Sequence, residues 1–205
     1  MQRRRLPPIL LLVGAALLLL SGIRPADRFT WWLEVAPALV AAPVLVATYR
    51  RFAFTDVVYV LMLVHASILM LGGHYTYAEV PLGFWMQKAF HLARNDYDRI
   101  GHFAQGFVPA MVVREVVVRR KIIRGAGWTF FFAVSVCGMV TALYEIVEWL
   151  TAVSAGGGAT AFLGTQGDPW DTQEDMATCF VGALAALVLL GRVHDGAMRR
   201  LDRSA

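Results

Sequence analysis

Cysteine is scarce here. The chain has 205 residues and two cysteines, Cys137 and Cys179, which lie in separate apolar runs and make no CxxC pair. That argues against a disulfide framework and leaves no thiolate set for zinc. Both read as small buried residues. Several catalytic motifs are missing too. Gly156, Gly157 and Gly158 are not followed by Lys-Ser/Thr, so they make no P-loop. There is no G-x-S-x-G nucleophile elbow. There is also no H-E-x-x-H and no E-x-x-H, which excludes the familiar helical zinc and di-iron signatures. No internal repeat or low-complexity tract interrupts the chain.

Apolar residues are abundant. They make up 58% of the chain, with a mean hydropathy of +0.55, against roughly 45–50% in soluble domains. They fall in six runs, at about 6–23, 32–49, 54–73, 100–118, 126–153 and 176–193. Crossing ~30 Å of hydrocarbon takes ~20 mostly apolar residues in a helix. Six such runs use more than half the chain and predict one integral membrane domain over residues 1–205. The first run follows Arg3, Arg4 and Arg5 like a secretory signal. It is long for one, and Arg24-Pro25-Ala26-Asp27 is a poor cleavage site, so an uncleaved helix is expected. Pro37 and Pro43 fall inside the second run, where neighbouring helices can satisfy the freed carbonyls.

The net charge of +4 would suggest nucleic acid in a soluble protein. Here the cations sit beside the apolar runs. Arg3–Arg5, Arg50–Arg51, Arg119–Lys121 with Arg124, and Arg192 with Arg199, Arg200 and Arg203 occupy alternate connections. The other connections are poorer in cations. The positive-inside rule then predicts an all-α, polytopic bundle of about six transmembrane helices, both termini cytoplasmic, in a bacterial cytoplasmic (inner) membrane. Its expected partner is membrane lipid and not nucleic acid. Trp31, Trp32, Trp128, Trp149 and Trp170 flank the runs as an interface belt would.

The polar residues concentrate at one predicted face. The third run leads into His74-Tyr75-Thr76-Tyr77, and the fourth is approached through Asp96-Tyr97-Asp98-Arg99-Ile100-Gly101-His102. The fifth carries Glu145 and Glu148 in its last turns, and the sixth follows Asp168-Pro169-Trp170-Asp171 with Glu174 and Asp175. Asp98 and His102 are i,i+4, Glu145 and Glu148 are i,i+3, and Asp171 and Asp175 are i,i+4, so each pair shares a helix face. A carboxylate at membrane depth costs at least ~2.5 kcal/mol on insertion scales. Glu145 and Glu148, flanked by apolar residues, therefore need partners. Asp96, Asp98 and Asp171 can also be read as helix caps.

Glu145, Glu148, His102 and Asp98 are the candidate catalytic residues. His74, Tyr77, Asp168 and Trp170 are candidates for contacting a bound molecule. Asp98, His102, Glu145, Glu148, Asp171 and Asp175 form an oxygen-rich set with one imidazole, suited to a divalent metal as cofactor. His65 reads as a satisfied core histidine, and His91 and His194 as interface or solvated residues. Arg114-Glu115 reads as a snorkelling pair.

The stretches Tyr97–Phe103, Tyr144-Glu145-Ile146-Val147-Glu148, and Gly164–Asp168 with Trp170-Asp171-Thr172 resemble the YjdF-type bacterial inner-membrane family. That family has no established activity, so the resemblance implies location and not reaction. More distantly, the order Asp-x-x-x-His-Phe, then Glu, then Asp-x-x-x-Asp is similar to VanZ-like membrane proteins, which are linked to glycopeptide-antibiotic tolerance at the envelope. That likeness falls on Asp98, His102, Glu145 or Glu148, Asp171 and Asp175. It departs at Arg99, where those proteins carry Lys, and at Glu148, where they carry Gln.

Three classes of function remain open from the sequence. The first is an outward-facing site acting on a lipid-linked or cell-envelope molecule. The second is a proton- or ion-coupled transporter, which the few polar residues in the inner halves of the runs weaken. The third is a non-catalytic binding or assembly protein whose polar cluster holds helices together.

Overall fold

The computed structural model describes residues 4–155, 162 and 165–204. Gly156–Gly158 and Gly164, named above, lie outside them, as does Arg3. The described residues form seven α-helices and one 3-10 turn, with no strand among them. The helices are α1 (Leu6–Ser21), α2 (Arg28–Thr48), α3 (Asp56–Tyr75), α4 (Pro81–Phe90), α5 (Tyr97–Arg119), α6 (Ala126–Ala155) and α7 (Asp171–Ser204). The 3-10 turn is Tyr77–Glu79.

Four helices, α2, α3, α6 and α7, are long and apolar enough to cross a membrane. α1, at 16 residues, is shorter. α5 has 23 residues, or about 34 Å at the helical rise, but it carries Asp98, Arg99, Arg114, Glu115 and Arg119. α4 was not foreseen, because ten residues cannot span and its apolar run is brief. Leu82, Trp85 and Phe90 leave it with an exposed apolar surface. Its start is clamped by Asn95, whose Nδ2 donates to Val80 O at 3.1 Å. α7 extends well beyond its apolar run in both directions, and α2 begins four residues early, capped by Asp27 through Thr30 N–H at 2.6 Å. That hydrogen bond holds the Asp27 carboxyl below its ordinary range.

The chain packs as two groups of three. α1 and α2 lie on α3, while α5, α6 and α7 lie on one another, and α3 meets α5. α5 and α7 run parallel, because Arg99 near the start of α5 pairs with Asp175 near the start of α7, and Arg114 farther along pairs with Asp195. Glycine permits their close approach. A Cβ on Gly106 would sit 1.8 Å from the Cys179 carbonyl oxygen, and one on Gly182 would sit 2.1 Å from Phe103 O. Small residues at such crossings let backbones touch where lipid offers no hydrophobic drive.

The two ends of the bundle differ in chemistry. At one end Arg4 Nη1 donates to Phe54 O at 2.7 Å, Arg119 to Ala53 O at 2.6 Å and Arg120 to Arg51 O at 3.2 Å. This end gathers the arginine-rich connections. At the other end, Ala26 N donates to His74 O at 2.8 Å and Arg94 to Thr165 O at 2.7 Å. This end gathers the carboxylates. Trp32, Trp128, Trp149 and Trp170 are exposed. Trp31, expected in the same belt, is buried, and its indole donates to Ser21 Oγ at 3.1 Å.

Candidate functional site

Asp98 and His102 share a face of α5, one turn apart. α6 brings Glu145 alongside them, and α7 brings Asp171 and Asp175. His102 Nε2 lies 3.6 Å from Asp98 Oδ1, 3.7 Å from Glu145 Oε1 and 3.8 Å from Asp175 Oδ1. His102, Glu145, Asp171 and Asp175 are all buried. The starts of two parallel helices, α5 and α7, point their partial positive charge toward these carboxylates. Glu145, near the C-terminal end of α6, gets no such help.

Two arginines, Arg94 and Arg99, hold the rim. Arg94 pairs with Asp171, with Asp96 at 3.2 Å and with Asp168 at 3.7 Å. Arg99 pairs with Asp175, with Glu174 at 2.7 Å, Asp171 at 3.2 Å and Asp168 at 3.6 Å. Their planar forks suit several carboxylates at once. Asp96 therefore serves Arg94 and makes no side-chain cap on α5.

A second carboxylate group lies across the bundle. Glu34 of α2 is buried and accepts from the Tyr144 hydroxyl at 3.2 Å, with Tyr77 directed at the same group. The sequence does not place Glu34 in the site, because nothing local to α2 shows that it faces α6. Tyr77 is buried against Tyr97, with ring centroids 5.5 Å apart. Its ring would meet a Cβ on either Gly72 or Gly101 at under 3 Å. Glu148 is buried one turn from Glu145, and its charged neighbours are the acids Asp98, Glu145, Glu34 and Asp175.

Not every candidate joins the cluster. His74 is turned to α1, where its Nδ1 donates to Ser21 O at 2.9 Å. Trp170 is exposed, and its backbone N–H donates to Asp168 Oδ1 at 2.9 Å. Among the six residues read as metal-suited, Asp98, His102 and Asp175 offer ligand atoms within 4.8 Å of one another. Asp171 is engaged by Arg94 and Arg99, and Glu148 faces elsewhere.

Glu148 instead lines a cavity of about 2320 Å3 between the two helix groups, larger than the roughly 300–1,000 Å3 of small-ligand sites. Its walls are mostly apolar residues of α1, α2, α3 and α5. At the carboxylate end it is bounded by Glu34, Tyr77, Asp98, His102, Tyr144 and Glu148, and at the other end by Arg4, Arg5, Arg50, Arg51, Arg119 and Arg120. His65, expected in the core, is half-buried and lines this cavity, as does Gln105.

The arginine end corrects two further expectations. Glu115 and His194 are fully buried, so Arg114-Glu115 is no snorkelling pair and His194 is not solvated. Glu115 accepts from Thr55 N at 2.8 Å, Thr55 Oγ1 at 2.7 Å and Arg119 at 2.8 Å. His194 Nε2 lies 2.9 Å from its other oxygen. Arg114 lies 3.2 Å from His194 Nδ1 and can only donate, so Nδ1 accepts and Nε2–H donates to Glu115. The sequence missed this because α7 continues as helix past its apolar run, which keeps His194 on the packed face.

Comparison with known proteins bears on identity. A protein 45% identical over 201 residues, covering 96% of both chains, is the inner membrane protein YjdF of Escherichia coli (strain K12). No solved structure matches. A family model described as "Predicted membrane protein (DUF2238)" matches residues 6–196. The chain is thus a multi-pass inner-membrane protein and belongs to the DUF2238 family.

Proposed function

We propose that this protein is a single membrane domain of six spanning helices, α1, α2, α3, α5, α6 and α7, with both termini in the cytoplasm. Its carboxylate/histidine site then faces outward and acts on a lipid-linked or cell-envelope molecule. The excess of arginines at the end opposite the carboxylates supports the orientation. The parallel course of α5 and α7, joined through α6, supports counting α5 as a span despite its charges, since its polar residues face other helices.

The observation that carries the functional reading is the cavity. Its apolar walls suit an acyl or polyprenyl chain, and it ends on Glu34, Asp98, His102, Tyr144 and Glu148. A chain lodged there brings its polar head to the buried acids and imidazole, the residue types that move protons. Glu148, which lines the cavity, serves there as base or acid.

The test is native mass spectrometry of the protein extracted from its own membrane. Wild type is expected to retain a chain-bearing molecule, and the cavity-filling variant Ala66→Phe to lose it. Wild type carrying nothing beyond exchangeable bulk lipid overturns the reading.

Proton- or ion-coupled transport gains from one observation. The buried Glu115–His194 pair lies at the opposite end, with His65 and Gln105 on the cavity between, so polar groups are not confined to one side. Proton flux in proteoliposomes, followed with a trapped pH-sensitive dye, separates this from lipid processing. A purely structural network is separated by Glu148→Gln, treated below.

A further inference from the structure

We infer that His102, Asp98, Glu145 and Asp175 form a site for one divalent first-row transition ion, of the zinc or manganese class. The inference rests on the reading that this cluster is the working end of the cavity, and it specifies that site's cofactor.

The geometry has a centre. Three carboxylate oxygens from three helices lie 3.6, 3.7 and 3.8 Å from one imidazole nitrogen. All are too long for an N–H···O hydrogen bond, which spans 2.7–3.2 Å. Ligands bound tetrahedrally at about 2.0–2.2 Å stand roughly 3.3–3.6 Å apart. The distances to Nε2 are close to that, and Asp98, His102 and Asp175 already place ligand atoms within 4.8 Å of one another, while the Glu145 side chain must swing farther inward to complete the shell.

The second observation is an orphan. Glu145 Oε1 is buried, has no hydrogen-bond partner among the described residues, and is directed at His102 Nε2. Glu145 as a whole is 7% exposed. Lipid and protein interior offer such an oxygen nothing in place of water, so it calls for a cation or a proton.

Charge points the same way. Arg94 and Arg99 are occupied by Asp96, Asp168, Asp171, Glu174 and Asp175. Asp98 and Glu145 have only His102 as an ion-pair partner among the described residues. One imidazolium cannot balance both. A divalent ion can, and it leaves the imidazole neutral, as a ligand must be.

The rest of the ring fits as well. With Nε2 on the ion, His102 Nδ1 carries the hydrogen and needs an acceptor. It is buried and unpartnered, and so is Gln105 Oε1, one turn along the same helix. Metal-bound imidazoles usually donate their second N–H to an oxygen of this kind, and a rotamer change of Gln105 or one water supplies the contact. One nitrogen with three carboxylate oxygens favours zinc, manganese or iron(II) over copper(I) or a thiolate-type site.

The experiment uses the full-length protein in detergent, stripped with a chelator and then exposed separately to zinc, manganese and magnesium. Metal per chain is read by plasma mass spectrometry after desalting, and thermal stability is read in parallel. About one zinc or manganese per chain is expected, with a raised Tm. His102→Ala and Glu145→Gln are expected to weaken binding at least about 100-fold, and His91→Ala at the exposed surface to bind normally. Asp98→Asn keeps the site's shape, so it tests the ligand set should His102→Ala fail to fold. Folded wild type that takes up no metal, or metal content unchanged in His102→Ala and Glu145→Gln, overturns the inference. Native mass spectrometry on the stripped protein keeps the two readings apart. A retained chain with no metal binding defeats only the ion site, and metal binding with no chain defeats only the lipid reading.

Discussion

A methyl group added to Gly106 of α5 would lie 1.8 Å from the Cys179 carbonyl oxygen of α7. The methyl would meet backbone atoms, so nothing flexible can yield. The same crossing holds Asp98 and His102 beside Asp175. Gly106→Ala is therefore expected to separate the helices and lower stability by about 1–3 kcal/mol, seen as a lower Tm in detergent. Gly191→Ala on α7, where a Cβ meets nothing within 4 Å, is the control and should match wild type or exceed it. Equal Tm values for the two variants would refute the close crossing.

Arg99 bridges Asp175, Asp171 and Glu174. Arg99→Ala leaves buried Asp175 without its arginine, while Asp171 keeps Arg94, at a cost of about 3–5 kcal/mol. Arg99→Lys keeps the charge but not the fork, and it should recover only part of that loss. Chemical unfolding of the three proteins in the same detergent orders them wild type, Lys, Ala.

Glu115 is the hub of the arginine end, accepting from Thr55, Arg119 and His194. Glu115→Leu leaves the Thr55 N–H and hydroxyl and the His194 Nε2–H without their acceptor, while Arg119 keeps Ala53 O, and should destabilise by roughly 3–5 kcal/mol. Glu115→Gln, which can still accept, should cost less. A Leu variant as stable as wild type would mean that the network adds nothing.

Glu148 lies among other acids, so Glu148→Gln replaces a buried acid by a neutral group of the same shape and removes no stabilising ion pair. Its Tm should be unchanged or higher, and restoration of any phenotype of a deletion strain should be lost. A lower Tm with full complementation would identify the cluster as structural glue instead.

Cys137 and Cys179 are both fully buried, so the native chain should be inert to maleimide until unfolded. That gives a clean background for topology. Trp170→Cys should react with an impermeant maleimide in intact cells, and Ile122→Cys, also exposed but at the arginine end, only after permeabilisation. The opposite pattern would invert the proposed orientation.

The apolar runs and the alternation of arginines were legible because membrane insertion is a one-dimensional problem. Each segment meets lipid alone, and its length and flanking charge settle much of its fate. The pairs Asp98/His102 and Glu145/Glu148 were legible as helix-face neighbours for the same local reason. Glu34, Arg94 and His194 were not, because their roles depend on what another helix brings to them. Glu34 acquires its meaning from Tyr144, 110 residues away, and Arg94 from Asp171, 77 residues away. His194 lies beyond its apolar run, where composition reads as solvent, and only the continuation of α7 beside α5 buries it.

The sequence by itself determined the class of the protein: helical, embedded in a membrane, with its acids drawn toward one end. It did so because the cost of exposing backbone and charge to lipid is paid segment by segment. Tertiary structure alone decided which acids meet His102, which are taken by Arg94 and Arg99, and that an apolar cavity ends on them. Those outcomes depend on helix crossings such as Gly106 on Cys179, where a fraction of an ångström in backbone separation sets which side chains can touch.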